Sequence, residues 1–260
     1  MNRKLEVAVC GYKSVAAVFA RHPESVLRFF YLESAAKQAG PFCRELARAR
    51  KPYRMVPADE LERIGGTGHH GGLVAITARS IPARVEPEDL DVWARVGKPV
   101  LVLDRVSNHH NLGALVRSAA FFGIQHVVLG EHRDQAMPGE STYRVAEGGM
   151  EYVTFYLSRN LPVVLEAARS KFLTVATVVR GRSSSPGAVP RRRGRPWMLV
   201  LGNEETGISH AVTAACEFHV SIPGSGQIES LNVSATGAIM MAWASMPAES
   251  EAAHRSIGHG

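Results

Sequence analysis

Apolar positions along this chain fall into two kinds of block, short β-branched runs and longer stretches at helical spacing, and the two kinds alternate. Residues 7–19 and 34–49 carry apolar side chains at helical spacing, whereas 27–32 and 53–56 read as short strands. Another helix is predicted from Pro57, ending at Gly65-Gly66, and 73–77 has the β-branched content of a strand. Residues 1–78 are thus expected to form a small α/β domain. The next stretch changes character: Pro82, Pro87 and Pro99 punctuate it, so 79–98 is read as a linker holding one short helix around 90–94.

From Pro99 onward strands and helices are predicted in strict alternation. Strands are expected at 99–104, 127–129, 173–178, 198–201 and 218–222. Helices are expected at 112–122, closed by Gly123, then at 161–171 and 231–246. Such alternation implies a mostly parallel sheet covered on both faces, a second α/β domain over 99–247 with a tail at 248–260. No internal repeat is present in the sequence.

Composition narrows the class. With 260 residues, 45% hydrophobic and 21% charged, the chain is neither disordered, collagen-like nor a disulfide miniprotein. Its net charge of +6 is unevenly spread: residues 1–80 hold 13 basic and 7 acidic side chains, and the remainder balances at 17 each. That asymmetry suits docking of a polyanion at one end, or a solvated basic face. Cys10, Cys43 and Cys216 are odd in number and contain no CxxC pair, as expected of buried thiols in a reducing compartment. No apolar run has the length of a signal peptide or a membrane span, so a cytoplasmic protein without a membrane partner is expected. Without a secretion signal, the sequon at Asn232-Val233-Ser234 has no consequence. Residues 180–195 contain six arginines and no acid among Ser, Gly and Pro, and are read as a mobile loop, either a phosphate-gripping flap or a variable surface loop.

Two patterns mislead. Gly66-Thr67-Gly68-His69-His70-Gly71 fits GxGxxG, but a helix precedes it and a strand follows, the reverse of a dinucleotide site. His69-His70 and His109-His110 lack the i, i+4 spacing of helical zinc ligands and have no neighbouring cysteine, so no metal site is expected.

Three segments of the second half carry the chemistry. In Leu103-Asp104-Arg105-Val106-Ser107-Asn108-His109-His110-Asn111-Leu112-Gly113-Ala114-Leu115-Val116-Arg117 a strand end feeds a polar loop, Asn111 is expected to cap the helix, and Arg117 lies six residues on. In Leu201-Gly202-Asn203-Glu204-Glu205-Thr206-Gly207-Ile208-Ser209 a strand runs into an acidic loop whose Gly202 permits close approach to the main chain. In Ile222-Pro223-Gly224-Ser225-Gly226-Gln227-Ile228-Glu229-Ser230-Leu231-Asn232-Val233-Ser234 a Gly/Ser loop opens a helix with Ser230, Asn232 and Ser234 in its first turns.

In this order, NxGxxxR, LGNEETGIS and IPxxGxxESLNVS resemble the three signature motifs of the SpoU class of RNA ribose 2′-O-methyltransferases, the TrmH-like branch of the SPOUT superfamily, over residues 99–245. The N-terminal unit, with Gly11 before an apolar helix and His69-His70-Gly71-Gly72 before a strand, is similar to the small RNA-binding domain often fused to these enzymes. The loop at Gly224-Ser225-Gly226 and the stretch Val145-Ala146-Glu147-Gly148-Gly149 depart from the family pattern.

The resemblance implies an α/β catalytic domain threaded as a trefoil knot, against the rule that chains avoid threading. It implies S-adenosylmethionine bound by main-chain groups of Gly202, Ile222 and Leu231, with Thr177 nearby. It implies a ribose 2′-OH of structured tRNA or rRNA as methyl acceptor, and a homodimer through the C-terminal domain, for which Met240, Met241 and Trp243 on the last helix would suit. The family match gives Arg117 the nucleophile. An arginine stays protonated in proteins, so either it clamps the phosphate and stabilises a developing alkoxide, the favoured reading, or phosphate helps it accept the proton. Asn111 would orient Arg117 or the ribose, Glu204 would hold the loop or the arginine, and Ser230 with Asn232 would bind ribose or phosphate. Two alternatives stand beside this: an RNA-binding protein that kept the fold without the reaction, and a relative that methylates a base.

Overall fold

The computed structural model describes residues 4–179, 183–190 and 195–246. They form two compact units, one made of residues up to Ile81 together with Met137–Tyr152, the other of Pro82–Ala136 and the chain from Val153.

The first unit is built on four strands, β1 (Lys4–Cys10), β2 (Val26–Tyr31), β3 (Tyr53–Met55) and β4 (Leu73–Ser80), in the order β1-β4-β2-β3. β4 runs antiparallel to both neighbours, and β2 and β3 are parallel. Helices α1 (Tyr12–Arg21), α2 (Ala36–Arg48) and α3 (Ala58–Gly65) cover the sheet. Alternation decides its two faces: Ala8, Cys10, Val74 and Ile76 pack with Leu61 of α3 on one side. Phe29 points the other way, into a cluster in which Phe19 and Phe42 stack at 4.6 Å. The helix expected over 7–19 starts only at Tyr12. The run Val7-Ala8-Val9-Cys10 is short enough to fit either period, and pairing with β4 from Lys4 opposite Ser80 to Cys10 opposite Val74 makes it a strand. Gly11, at φ 86°, makes the corner.

Met137–Tyr152 belongs to this unit although the expected catalytic domain, 99–247, includes it. The segment holds α6 (Glu140–Ala146) and a turn of 3₁₀ helix at Gly149–Tyr152, neither anticipated. Lys13 Nζ donates to the Glu147 carboxylate at 2.7 Å. Buried Glu151 pairs with Arg79, whose guanidinium sits 5.2 Å from the Tyr143 ring centre. At Gly148 a Cβ would stand 2.9 Å from that of Ala17.

The second unit is a parallel sheet of β5 (Ala83–Arg84), β6 (Val100–Asp104), β7 (His126–Gly130), β8 (Thr154–Ser158), β9 (Leu173–Thr177), β10 (Trp197–Gly202) and β11 (Phe218–Val220), ordered β11-β9-β10-β6-β7-β8-β5. Around it stand α4 (Pro87–Val96), α5 (His109–Phe121), α7 (Leu161–Ala168), α8 (His210–Ala214) and α9 (Val233–Ser245). β6 and β10 are buried along their whole length, as the continuous apolar runs require of central parallel strands. The stretch expected to be a linker is not one: β5 pairs with β8, and α4 buries Leu90 and Trp93 in the core of this unit. The chain moves outward from β6 through β7 to β8, then returns so that β10 lies on the other flank of β6. The order reverses between β6 and β10, and in open parallel sheets ligands bind outside the strand ends at that reversal.

Met240 and Met241, expected to suit a subunit interface, are fully buried inside this unit. Gly237 explains the closeness of α9 to α5: a Cβ there would fall 2.3 Å from Leu115 Cδ2.

Candidate functional site

Asp104 and Gly202 end adjacent strands in register, and the loops they release form the site. Gly202 has no room for a side chain, since a Cβ would lie 2.3 Å from the main chain of both Gly207 and Ile208. Asn203 and Gly207 close the following turn through two main-chain hydrogen bonds of 3.1 and 3.0 Å. Inside the turn, Asn203 Oδ1 accepts from the amides of Glu205 and Thr206, both at 3.0 Å, while its Nδ2 donates to the Arg105 carbonyl at 2.9 Å. Buried Asp104 accepts the Ser209 amide at 2.7 Å. Arg105 stands at φ 63°, a conformation costly for a side-chain-bearing residue, and this turns its carbonyl to Asn203. None of Asp104, Arg105 and Asn203 was singled out as a site residue. The signals available were an acid ending an apolar strand and an asparagine able to form its own turn.

The helix cap differs from expectation. Asn108, not Asn111, caps α5, accepting the amides of His110 at 2.8 Å and Asn111 at 3.2 Å. Its β-region backbone suits a cap, whereas Asn111 is already inside the first turn. The Asn111 side chain is thereby released for other contacts: Nδ2 donates to Glu204 Oε1 at 2.9 Å, and Oδ1 accepts from Asn232 Nδ2 at 3.1 Å. Asn232 caps α9 by accepting the Ser234 amide at 2.8 Å. Three of the expected residues, Asn111, Glu204 and Asn232, thus form one hydrogen-bonded chain that ties together the three loops. Glu204 also accepts from the amides of Ser107 and Asn108 and from the Ser107 hydroxyl. Burial pushes its carboxyl up, but the donors from Asn111, Ser107, its own amide and Asn108 outweigh that and hold it below the ordinary value.

A cavity of about 550 Å³ opens beside this network, its wall including Thr177, Gly202, Glu204, Ser230 and Leu231. Ile222 lines a smaller neighbour of about 100 Å³ that shares Thr177, Ser230 and Leu231. Six of the expected residues, Thr177 among them, therefore face one recess or its extension. Asn111 and Asn232 reach it only through Glu204. Arg117 lines neither cavity; it is exposed on α5, about 9 Å along the axis from Asn111.

Arg195, grouped with the arginine-rich loop, is engaged: its guanidinium donates to the Phe172 carbonyl at 2.8 Å and to Glu217 at 2.7 Å. The other five arginines of 180–195 lie outside the described residues, as does the tail 248–260. His70 Nδ1 accepts the Gly72 amide at 3.0 Å, a structural role. No group of three His, Cys, Asp or Glu among the described residues is arranged to hold a metal ion, and no described helix is long and apolar enough to cross a membrane.

Residues 98–242 match the family model described as the SpoU rRNA Methylase family, and residues 8–83 match the one described as RNA 2′-O ribose methyltransferase substrate binding. The chain is 33% identical to an uncharacterized tRNA/rRNA methyltransferase, YfiF, of Escherichia coli O157:H7, over 93% of this chain and 69% of that one. It is 32% identical to the 23S rRNA (guanosine-2′-O-)-methyltransferase RlmB of Acinetobacter baylyi, over 86% and 90%. The crystal structure of an AdoMet-bound rRNA methyltransferase from Sinorhizobium meliloti shares the fold, with a TM-score of 0.74 at 19% identity over 92% and 86% of the two chains.

Proposed function

Because the chain belongs to the SpoU rRNA methylase family, we propose that it transfers a methyl group from S-adenosylmethionine to a ribose 2′-hydroxyl of structured RNA, a tRNA or rRNA. The hydrogen-bonded chain Asn232–Asn111–Glu204, at the reversal of strand order, carries this reading, because it joins all three motif loops around one cavity.

The recess suits the cofactor. Gly202 lets the Asn203–Ile208 loop fold close against the strand end, Leu231 and Ile222 supply apolar wall, and Glu204, Glu205 and Glu229 favour a cationic ligand. Gly202, Ile222 and Leu231 would hold it, and when bound it supplies an electrophilic methyl on a sulfonium. Arg117 lies outside the cavity wall, so its role rests on the motif match and not on its placement beside the recess. Its guanidinium grips the phosphate beside the target ribose in a bidentate pair and stabilises charge growing on the 2′-oxygen. Glu204, held ionised by its donors, fixes Asn111 and through it Asn232, while Ser230 and Asn232 orient the ribose. Such positioning fixes the angle of an in-line displacement that a free hydroxyl performs poorly.

The chain works as a cytoplasmic homodimer with its C-terminal segment threaded as a trefoil knot. The exposed apolar side chain of Phe121 on α5 supports a subunit contact better than the buried methionines of α9.

Tritiated methyl incorporation into total RNA, with nuclease mapping of the product, tests the reaction. Arg117→Ala is expected to keep S-adenosylmethionine affinity and lose methylation. Unchanged turnover rejects the role of Arg117, a methylated base rejects the ribose reading, and binding of RNA without methyl transfer rejects the enzyme.

A further inference from the structure

Residues 36–54 hold six cations, Lys37, Arg44, Arg48, Arg50, Lys51 and Arg54, against one acid, Glu45. Two of the six are engaged: Lys51 Nζ donates to the Pro23 and Glu24 carbonyls, and Arg54 pairs with Glu60. Lys37, Arg44 and Arg48 are exposed and have no hydrogen bond or ion pair among the described residues. Their spacing on α2 puts them within about 40° of one another around the helix and along about 16 Å of its axis.

One feature of this stripe opposes helix stability. Arg50 occupies the left-handed position after the helix, at φ 54°, where its amide reaches the Ala47 carbonyl and that of Lys51 the Leu46 carbonyl. That closure favours glycine, and an arginine there adopts a conformation costly for it. A cation kept at an unfavourable position, in line with three exposed cations that bond to nothing among the described residues, points to a ligand rather than to folding.

Resting on the RNA-methyltransferase reading, we propose that Lys37, Arg44, Arg48 and Arg50 form a track for the phosphates of an RNA backbone. A line of cations on a helix whose own large apolar side chains, Phe42 and Leu46, are buried suits a repeating polyanion better than a protein surface. Guanidinium forks match phosphate oxygens in pairs. The track reads charge and spacing, so it contributes affinity without sequence preference.

The test uses the full chain, a labelled RNA duplex and total tRNA, with affinity measured across a range of KCl. The triple variant Lys37→Ala, Arg44→Ala, Arg48→Ala is expected to flatten the slope of log affinity against log salt by about 2–3 and to weaken binding at physiological salt at least about tenfold. A control triple, Arg28→Ala, Arg54→Ala, Arg63→Ala, removes the same charge from arginines already paired with Glu6, Glu60 and Asp59, and should keep the slope. Arg50→Gly should weaken RNA binding while unfolding no more easily than the parent. Far-UV circular dichroism and urea unfolding report that each variant is folded. Equal losses in both triples, or a stripe triple that binds RNA like the parent, overturns the track. If the parent binds neither RNA nor S-adenosylmethionine, the enzymatic reading itself has failed.

Discussion

Gly202→Ala is the smallest change that tests whether the Asn203–Ile208 loop sets the cavity. The added methyl would stand 2.3 Å from Gly207 C and Ile208 N and 2.6 Å from Gly207 O, all main-chain atoms that no rotamer change can move. Ordinary carbon contacts begin near ~3.5 Å, so the loop must retreat by about 1 Å. It is pinned on both sides, by the Asn203–Gly207 hydrogen-bond pair and by Asp104 on the Ser209 amide, so the retreat strains or breaks those bonds. Overpacking of this kind costs about 1–3 kcal/mol of stability. A displacement of about 1 Å in a positioning element costs on the order of 100-fold in turnover. Gly207→Ala is the control: its Cβ meets nothing within 4 Å, but at φ 69° the residue is strained, for about 1–2 kcal/mol without loop retreat. Urea unfolding and calorimetric titration with S-adenosylmethionine should show comparable destabilisation in both variants, but at least about tenfold weaker binding only in Gly202→Ala. Parental affinity in a folded Gly202→Ala protein would refute the idea that close approach of this loop shapes the cofactor site.

Glu204→Gln faces donors with a donor, and should cost about 1–3 kcal/mol by urea unfolding and lower kcat more than it raises KM. Since folding depresses the Glu204 pKa, its contribution to stability is fully present above the unfolded value near 4.5 and is lost as pH falls through the folded value; the parent should therefore lose more stability on acidification than Glu204→Gln. Arg79→Met leaves the Glu151 carboxylate buried without its partner, for a loss of about 3–5 kcal/mol in urea unfolding, and adding Glu151→Leu should recover most of it. Burial, reinforced by Glu140, pushes the Cys10 thiol to about 11, and burial pushes Cys216 to about 12, so a thiol reagent should modify partly exposed Cys43 well before either in the native protein.

What the sequence made legible follows from what each side chain faces. Buried parallel strands such as 100–104 and 197–202 are unbroken apolar runs ended by turn residues, and such runs signal themselves. Lys4–Cys10 misled because four alternating small residues fit two periods, and only a partner strand some seventy residues away chooses between them. The Met137–Tyr152 segment was placed with the wrong unit for a related reason. Nothing local in it shows that Glu151 answers Arg79 or that Gly148 makes room for Ala17, since both relationships exist only once the two segments meet.

At the site the same distinction separates the residues that were named from those that were not. Gly202, Glu204, Ser230 and Leu231 face the cavity, and their types carry the chemistry of a ligand, so they stand out when the three loops are considered together. Asp104, Arg105, Asn108 and Asn203 hold main-chain groups: an amide of Ser209, a carbonyl turned by a positive φ, a helix start and a four-bond turn. An asparagine that caps a helix and one that reaches across to a carboxylate look alike in sequence, which is why Asn111 was given the work of Asn108. Only the register of Gly202 beside Asp104 shows which side chain is spent on the main chain and which is left for a substrate. The loops after β6 and β10 are therefore a single structural unit, and a substitution at a main-chain holder such as Asn203 should act on the cavity as strongly as one at its wall.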